Sequence, residues 1–220
     1  MNKIKVYIDC GHGGKDSGAI NGQTTEKSIV LSVGLHLKKL LLDSGKFDVR
    51  MSRQNDIYCT LDYRTKDANN WGADILISLH CNDASSTSAI GIETFCYKFK
   101  YRKLADTIHQ ALINSKLYNV NRGVKEGNLH MVRESKMSAC LIELGFIRNS
   151  KDYNLLTTKQ YEFAKAIYQG ILNYYNIKLE TPSNRLFIVA TGAYKDINNA
   201  KKDVEELKKK GFNSAYIHEC

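Results

Sequence analysis

The hydrophobic positions of the chain follow two alternating spacings. Short runs rich in β-branched and other apolar residues predict strands at residues 3–9, 47–52, 75–80, 91–97 and 140–144. Between most of these runs, apolar residues recur at steps of three and four, which predicts helices around residues 30–41, 61–71, 104–115 and 161–175. Strands that alternate with helices indicate an α/β domain, with a mostly parallel twisted sheet flanked by helices on both faces.

Two local signals mark helix ends within this pattern. Ser44-Gly45 follows the first helical stretch and is a good C-terminal signal. Thr157 and Gln160 have the spacing of a capping box, so the fourth helix is expected to open there. The α/β domain should end near Leu179.

A short second segment is expected beyond this domain. The chain's one proline, Pro182, lies in the polar stretch 180–184, which we interpret as a linker between a domain of residues 1–179 and a segment of residues 185–220. Within that segment, residues 186–191 and 214–218 are predicted strands and residues 197–210 a predicted helix, giving a small β-α-β piece. Below roughly 40 residues a chain rarely folds alone. The segment is therefore expected to dock on the domain, to form a dimer with a second copy, or to be part of a truncated module.

Composition places the chain among globular proteins. Its 220 residues are 43% hydrophobic and 25% charged, close to the globular averages. The six cysteines are scattered without a Cys-x-x-Cys pair, which favours reduced thiols over a disulfide scaffold. No run of about 18 apolar residues occurs, and the first strand begins without a signal-peptide core. The sequence therefore predicts synthesis in the cytoplasm without a signal peptide, and no membrane insertion.

The chain is basic, with a formal net charge of +9. This charge favours an anionic partner such as nucleic acid, anionic lipid or an anionic polymer. Residues 98–103 interleave basic and aromatic side chains, which suits nucleic acid, but no nucleic-acid-binding motif accompanies them and such a run is usually a solvated face. Residues 1–182 hold 25 Lys+Arg and 18 Asp+Glu, net +7, and residues 183–220 hold 7 and 5, net +2. Most of the positive charge thus belongs to the larger domain.

Polar side chains stand at the ends of three predicted strands. His12 follows the first strand, His80 ends the third and Glu143 lies in the fifth. The crevice of an open α/β sheet lies at the carboxyl ends of its strands, so these side chains are expected to converge there. Glu26 begins the first helix after a Gly- and Thr-rich loop and can turn toward the same edge. Two histidines and a glutamate match a catalytic zinc set, with Glu143 as a spare carboxylate for proton transfer.

Each of these residues also has a purely structural interpretation. A single histidine is more often a surface or core residue than a ligand, Glu26 can stabilise the helix N-terminus, and Glu143 can be a buried ion-pair partner. Cys10 and Cys81 are rival thiolate ligands, although His80 and Cys81 point to opposite faces of an extended strand. The residues alone leave both interpretations open.

Four separated motifs carry a resemblance to a known family. They are Val-Tyr-Ile-Asp-Cys-Gly-His-Gly-Gly-Lys-Asp-Ser-Gly-Ala at 6–19, Thr-Glu-Lys at 25–27, Ser-Leu-His-Cys-Asn at 78–82 and Leu-Ile-Glu-Leu-Gly-Phe-Ile-Arg-Asn at 141–149. With these motifs in this order, residues 2–178 resemble the zinc-dependent N-acetylmuramoyl-L-alanine amidases of the amidase-3 type. The resemblance implies a Zn²⁺ cofactor, with His12, Glu26 and His80 as metal ligands and Glu143 as the catalytic carboxylate. The family usually has proline where Cys10 and Ser138 stand, and neither position is a ligand.

The resemblance also implies a reaction and a substrate. The reaction is hydrolysis of the peptidoglycan amide between N-acetylmuramic acid and the L-alanine of the stem peptide, by a zinc-activated water with Glu143 as general base. We further predict that Asn82, Gly13, Gly14 and Arg122 contact the substrate, the first three by holding it or stabilising the oxyanion. A non-catalytic peptidoglycan-binding protein, and a zinc hydrolase such as a deacetylase or carboxypeptidase that acts on a different amide, are the alternatives.

The segment from residue 185 resembles the first half of a SPOR-type peptidoglycan-binding module, most clearly at residues 187–194. The anionic cell wall, rather than nucleic acid, is then the expected partner of the basic charge. A wall hydrolase made without a signal peptide is expected to reach the wall after lysis or through a holin-type pore. A phage endolysin or a sporulation autolysin would act in this way.

Overall fold

A computed structural model describes residues 3–118, 120–178, 192–213 and 215–217 of the chain. The chain divides into two compact units, Met1–Leu179 and Glu180–Cys220. None of the helices in the described residues is long and apolar enough to cross a membrane.

The described part of the first unit contains eight strands: β1 (Ile4–Cys10), β2 (Ile20–Asn21), β3 (Thr24–Thr25), β4 (Phe47–Met51), β5 (Ile75–Asn82), β6 (Ile92–Cys96), β7 (Asn121–Glu126) and β8 (Ser138–Phe146). Six of them form one sheet in the order β4-β1-β5-β8-β6-β7, while β2 and β3 form a separate antiparallel pair. The neighbours from β4 to β8 run parallel, and β6 runs antiparallel to β8 and parallel to β7. The predicted mostly parallel sheet is confirmed, with two strands reversed at one edge.

Among the described residues of this unit, six α-helices flank the sheet: α1 (Glu26–Asp43), α2 (Leu61–Trp71), α3 (Lys103–Asn114), α4 (His130–Arg133), α5 (Ser150–Thr158) and α6 (Gln160–Tyr174). Helices α1 and α3 both pack on α6 over the larger apolar core, which takes alternate residues of β1 such as Val6 and Ile8. Helices α2 and α4 cover the opposite face through a smaller core around Tyr7 and Leu76. Both faces are therefore covered by helices, as the sequence predicts.

The sequence prediction lacks five of the strands and α-helices described for this unit: β2, β3, β7, α4 and α5. Of these, β2, β3 and α4 are only two to four residues long. Strand β7 has the sequence Asn-Arg-Gly-Val-Lys-Glu, so it lacks the apolar run of a buried strand, and as an edge strand it buries none of its six residues fully. Helix α5 buries only Asp152 and Leu156, so it lacks a wide apolar stripe.

The predicted capping box at the start of α6 is wrong. Thr157 lies in the last turn of α5, where its hydroxyl donates to the Tyr153 carbonyl at 2.8 Å. The Gln160 side chain donates to the Leu156 carbonyl, and Lys159 precedes α6 without a side-chain cap. Because α5 runs on to Thr158, the threonine hydroxyl bonds back to a helical carbonyl instead of capping the next helix.

The second unit contains α7 (Ile197–Lys209), in which no residue is fully buried. The Asp196 side chain caps it by accepting from the Asn198 amide at 2.8 Å. The predicted strand 186–191 and the predicted linker 180–184 lie outside the described residues. Of the predicted strand 214–218, residues 215–217 are described and have no regular secondary structure.

Candidate active site

Three side chains meet at the carboxyl edge of the parallel strands. His12 follows β1, Glu26 is the first residue of α1, and His80 lies near the end of β5. The Glu26 Oε1 atom lies 3.1 Å from His12 Nε2 and 2.9 Å from His80 Nδ1. In the described parts of the chain, these three form the one group whose donor atoms could hold a metal ion, all within 4.8 Å of one another. The structure thus brings together the predicted ligand set.

Glu26 is held in place by backbone donors. Its Oε2 accepts from the Ala19 amide and its Oε1 from the Cys81 amide, each at 2.9 Å, and only 3% of the residue is exposed. The β2–β3 pair directly precedes α1 and delivers the residue to this position. A carboxylate buried with this many donors stays ionised and fixed in direction.

His12 is oriented by Asp16, a residue that the sequence prediction missed. Asp16 Oδ2 lies 3.0 Å from His12 Nδ1, which leaves Nε2 to face Glu26. A carboxylate behind a histidine fixes the ring and its tautomer and is common around metal-binding histidines. The signal for this role was its position four residues after His12 in the same motif.

Two buried arginines brace the backbone that carries His12. Arg64 donates to the His12 carbonyl at 2.6 Å and pairs with the buried carboxylate of Asp9 at 2.7 Å. Arg53 donates to the Gly11 carbonyl at 2.8 Å. Each arginine is only 2% exposed. Because His12 has a φ of 59°, which non-glycine residues seldom adopt, these bonds stabilise an unusual backbone conformation at the site.

Glu143 lies beside the ligand set with an unpartnered oxygen. Its Cα is in register with His80 on β5 and with Glu93 on β6, so the three side chains share one level of the sheet. The buried Oε2 of Glu143 makes no hydrogen bond. Burial, reinforced by the nearby carboxylates of Glu26 and Glu93, raises the pKa of Glu143 to about 7 against an opposing effect of His80. This carboxyl group is therefore suited to exchange a proton near neutral pH.

The electrostatics of the ligand set fit a cation at its centre. Burial favours neutral forms, but hydrogen bonds between Glu26 and the two imidazoles outweigh it, lowering the pKa of Glu26 and raising the pKa values of His12 and His80. In the metal-free protein the imidazoles thus hold protons where their nitrogens face the carboxylate. A metal ion would take the place of those protons.

Cys10 and Cys81 do not join this set. The Sγ of Cys10 packs in the core against Gly34 of α1, where an added Cβ would lie 2.4 Å from it. Burial raises the pKa of Cys10 to about 12 and that of Cys81 well above its ordinary value. Neither thiol is a good source of thiolate, so the rival ligands of the sequence analysis are disfavoured.

The predicted substrate contacts lie around this centre, but several of their donors are already used. Gly13 N donates to the Asp16 carbonyl at 2.8 Å and Gly14 N to Asp56 Oδ1 at 2.7 Å. Both glycines have positive φ, and a Cβ at Gly13 would lie 2.2 Å from the Ile57 carbonyl oxygen, so their first role is to shape the loop.

Asn82 and Arg122 both contact Glu93. Asn82 Nδ2 donates to Oε1 and Arg122 Nε to Oε2 of this carboxylate, each at 2.7 Å. Glu93 is 5% exposed and was missed in the sequence analysis. The sequence feature that could have indicated Glu93 is that it is the one acidic residue in the largely apolar run 91–97.

The fold and this arrangement of residues define the candidate site of a metal-dependent hydrolase. Comparison with known proteins defines the family. The family model for N-acetylmuramoyl-L-alanine amidase, Amidase_3, matches residues 6–173. The chain belongs to this family, and it is an amidase that acts on peptidoglycan.

Individual relatives agree with this assignment. The sporulation-specific N-acetylmuramoyl-L-alanine amidase of Bacillus subtilis (strain 168) is 36% identical over 220 residues, which cover 97% of this chain and 84% of that protein. An N-acetylmuramoyl-L-alanine amidase from Clostridium difficile 630 has a similar structure, with a TM-score of 0.77 and 33% identity over 81% of this chain and all (100%) of that chain. The catalytic domain of CwlV from Bacillus (Paenibacillus) polymyxa var. colistinus gives a TM-score of 0.76 at 32% identity, covering 80% of this chain and 99% of that one.

Proposed function

We propose that this chain hydrolyses the amide bond between the lactyl group of N-acetylmuramic acid and the L-alanine of the stem peptide, with a zinc ion held by His12, Glu26 and His80. The observation that carries the proposal is the convergence of two imidazole nitrogens on one carboxylate oxygen, beside the unpartnered Glu143. Two nitrogens and one carboxylate oxygen are a donor set that catalytic zinc accepts, with a fourth position for water or substrate. A bound zinc ion supplies Lewis acidity that lowers the pKa of water and polarises a carbonyl.

In this proposal Glu143 moves the proton. Its carboxylate takes a proton from the attacking water and passes it to the alanine nitrogen as the amide bond breaks. A pKa of about 7 suits both steps, because the group can accept and release a proton at neutral pH. Asp16, Arg53 and Arg64 hold the His12 loop in position.

The remaining predicted contacts support substrate binding to different degrees. Arg122 and Asn82 border Glu143 through their shared partner Glu93. Gly13 and Gly14 lie next to His12, but their amides already bond within the protein, so their part in oxyanion stabilisation remains a prediction.

For biological context, we favour a sporulation autolysin over a phage endolysin. The support is the sporulation-specific relative, whose similarity covers 97% of this chain and so extends into the second unit. We propose that this unit binds the cell wall and that a dimer forms through it, which light scattering of the purified chain would test. Release by lysis or through a holin-type pore remains part of the same prediction.

The reaction is tested by the new chain ends that appear in digested cell walls. The zinc-loaded protein should release alanine amino termini without new reducing sugars, a chelator should stop the release, and added zinc should restore it. Reducing ends without amino termini would exclude an amidase. Amino termini other than alanine would point to a hydrolase of a different amide.

A further inference from the structure

A row of charged side chains leads from the proposed metal ligands to the far edge of the sheet. His80 on β5 is in register with Glu143 on β8, and Glu143 is in register with Glu93 on β6. The next strand, β7, supplies Arg122 and Lys125, and both contact the Glu93 carboxylate. Residues directly opposite on adjacent strands project to the same face, so the cations lie on the face of the sheet that carries the proposed catalytic group.

Glu93 is the anchor of this cationic pair. Arg122 Nε lies 2.7 Å and Lys125 Nζ 2.5 Å from Oε2, while Oε1 accepts from Asn82. Burial opposes ionisation of Glu93, but the hydrogen bonds from Lys125 and Arg122 outweigh it and hold its pKa below the usual range. One carboxylate thus faces two cations, which leaves an excess positive charge at this edge of the sheet.

Within the part of the chain that the structure describes, both cations keep donors that make no hydrogen bond. Among the described residues, the terminal nitrogens of Arg122 make no hydrogen bond and Lys125 has no second ion-pair partner. Their side chains are 35% and 38% exposed. Arg122 stacks over the Phe146 ring at 4.9 Å and Lys125 lies over the Phe95 ring at 6.0 Å. Each cation is therefore also held by contact with an aromatic ring. A guanidinium with an ammonium beside it is well suited to bind a carboxylate.

We propose that Arg122 and Lys125 bind a carboxylate of the stem peptide, two or three residues beyond the scissile amide, and that Glu93 positions both cations. This inference rests on the proposed function. Strands in a sheet lie about 4.8 Å apart, so β7 is roughly 10 Å from β8. An extended peptide advances about 3.4 Å per residue. A stem peptide cleaved beside Glu143 therefore reaches the cations at its second or third residue.

The test compares two soluble substrates with the zinc-loaded full chain. Both are N-acetylmuramoyl peptides with an amidated C-terminus; one has free carboxylates at its second and third residues, and in the other these groups are amides. The wild-type chain should cleave the acidic substrate with a kcat/KM about tenfold higher, mainly through KM. Lys125→Gln and Arg122→Gln should lose this preference, because each should lower kcat/KM more on the acidic substrate than on the amidated one.

The variants separate substrate binding from structural support. Glutamine at position 125 keeps an amide that can donate to Glu93, and Lys125→Arg should restore the preference. Lys39→Gln removes the same charge on α1, where the lysine pairs with Asp43, and should leave the preference intact. If Arg122→Gln does not fold, as shown by its melting curve, Lys125→Gln alone decides the question.

Three results would overturn the inference. An unchanged preference in Lys125→Gln would exclude carboxylate binding by this residue, and an equal loss on both substrates would show that it acts only through Glu93. Equal cleavage of both substrates by the wild-type chain would exclude a carboxylate subsite. By contrast, failure of the zinc-loaded wild-type chain to release alanine amino termini from either substrate would overturn the proposed function, and this inference with it.

Discussion

At the scale of single residues, the site depends on carboxylates in contrasting surroundings. Glu26 accepts from two backbone amides and faces two imidazoles, so its charge is well compensated. Glu143 has a buried oxygen without a hydrogen bond. The carboxyl group of Glu26 therefore stays ionised, whereas that of Glu143 titrates near neutral pH.

The raised pKa of Glu143 predicts a pH-dependent stability difference in the metal-free protein. Because the folded-state pKa of about 7 exceeds the ordinary 4.5, the folded protein favours the protonated group. The wild type then loses stability as pH rises from 4.5 through 7, and Glu143→Gln avoids this loss. At pH 8 the variant should be more stable by up to about 3 kcal/mol relative to its difference at pH 4.

Urea unfolding in the presence of a chelator measures this difference. Glu126→Gln, at an exposed position of β7, is the matched control and should show little change with pH. A difference between Glu143→Gln and wild type that stays constant from pH 4 to pH 8 would contradict the assignment of a strongly raised pKa.

Asp16 provides a second prediction at this scale. Asp16→Asn should lower zinc affinity by about tenfold while the fold is kept, because a neutral amide orients His12 less firmly than a carboxylate. Competition with a zinc-binding dye measures the affinity. Asp43→Asn removes the same charge at the end of α1 and is the control. An equal loss of zinc affinity in that variant would show that the net charge, and not the contact of Asp16 with His12, causes the loss.

At the scale of elements, helix α5 is bonded to the two strands that lie beside the proposed catalytic group, β6 and β8. Asn149 caps α5 by accepting from the Lys151 and Asp152 amides, and Asp152 accepts from the Gly91 and Phe146 amides at the ends of β6 and β8. The helix therefore connects two strands that carry Glu93 and Glu143.

The cap predicts a contrast between two polar positions. Asn149→Ala should cost about 1 kcal/mol of unfolding free energy, since it removes a cap, whereas Thr157→Ala should cost less than half of that. Urea denaturation at neutral pH compares them. A larger loss of unfolding free energy for Thr157→Ala than for Asn149→Ala would indicate that Thr157 caps α6, as the sequence suggests.

The elements that sequence predicted well are those with a strong apolar pattern. Strands β1, β5 and β8 are buried on both faces, so their apolar runs stand out. Strand β7 and helix α5 bury few apolar side chains, and their positions depend on contacts with distant parts of the chain.

The same reasoning applies to the site. His12 and Glu26 stand at element ends, and His80 and Glu143 interrupt apolar strand runs. A polar residue is conspicuous at such positions, and the structure brings the first three together. The roles of Asp16, Glu93, Arg53 and Arg64 depend on tertiary contacts, as for Arg64 with Asp9, which is 55 residues away in sequence. Periodicity along the chain carries no signal for such pairs.

At the scale of the whole molecule, the positive net charge predicts attraction to an anionic cell wall. The net charge of +9 belongs mostly to the first 182 residues, which carry 25 Lys+Arg and 18 Asp+Glu. A basic protein that acts on peptidoglycan is expected to be drawn to the anionic polymers of the wall.

Wall binding should therefore weaken with salt. The Debye length shortens from about 10 Å at 0.1 M to about 3 Å at 1 M ionic strength, so the fraction of protein that sediments with cell walls should fall severalfold over this range. Walls stripped of anionic polymers should bind little protein at either salt concentration. Equal binding at both concentrations would show that charge contributes little.

The central claim is that Glu143 transfers the proton while His12, Glu26 and His80 hold the metal. The most direct test is the rate of alanine amino-terminus release from cell walls by Glu143→Gln, with the zinc content of the same sample measured. We expect a rate about 10²- to 10⁴-fold below wild type at an unchanged zinc content. A variant that keeps its zinc and retains more than about a tenth of the wild-type rate, a loss far below that expected of a general base, would contradict it.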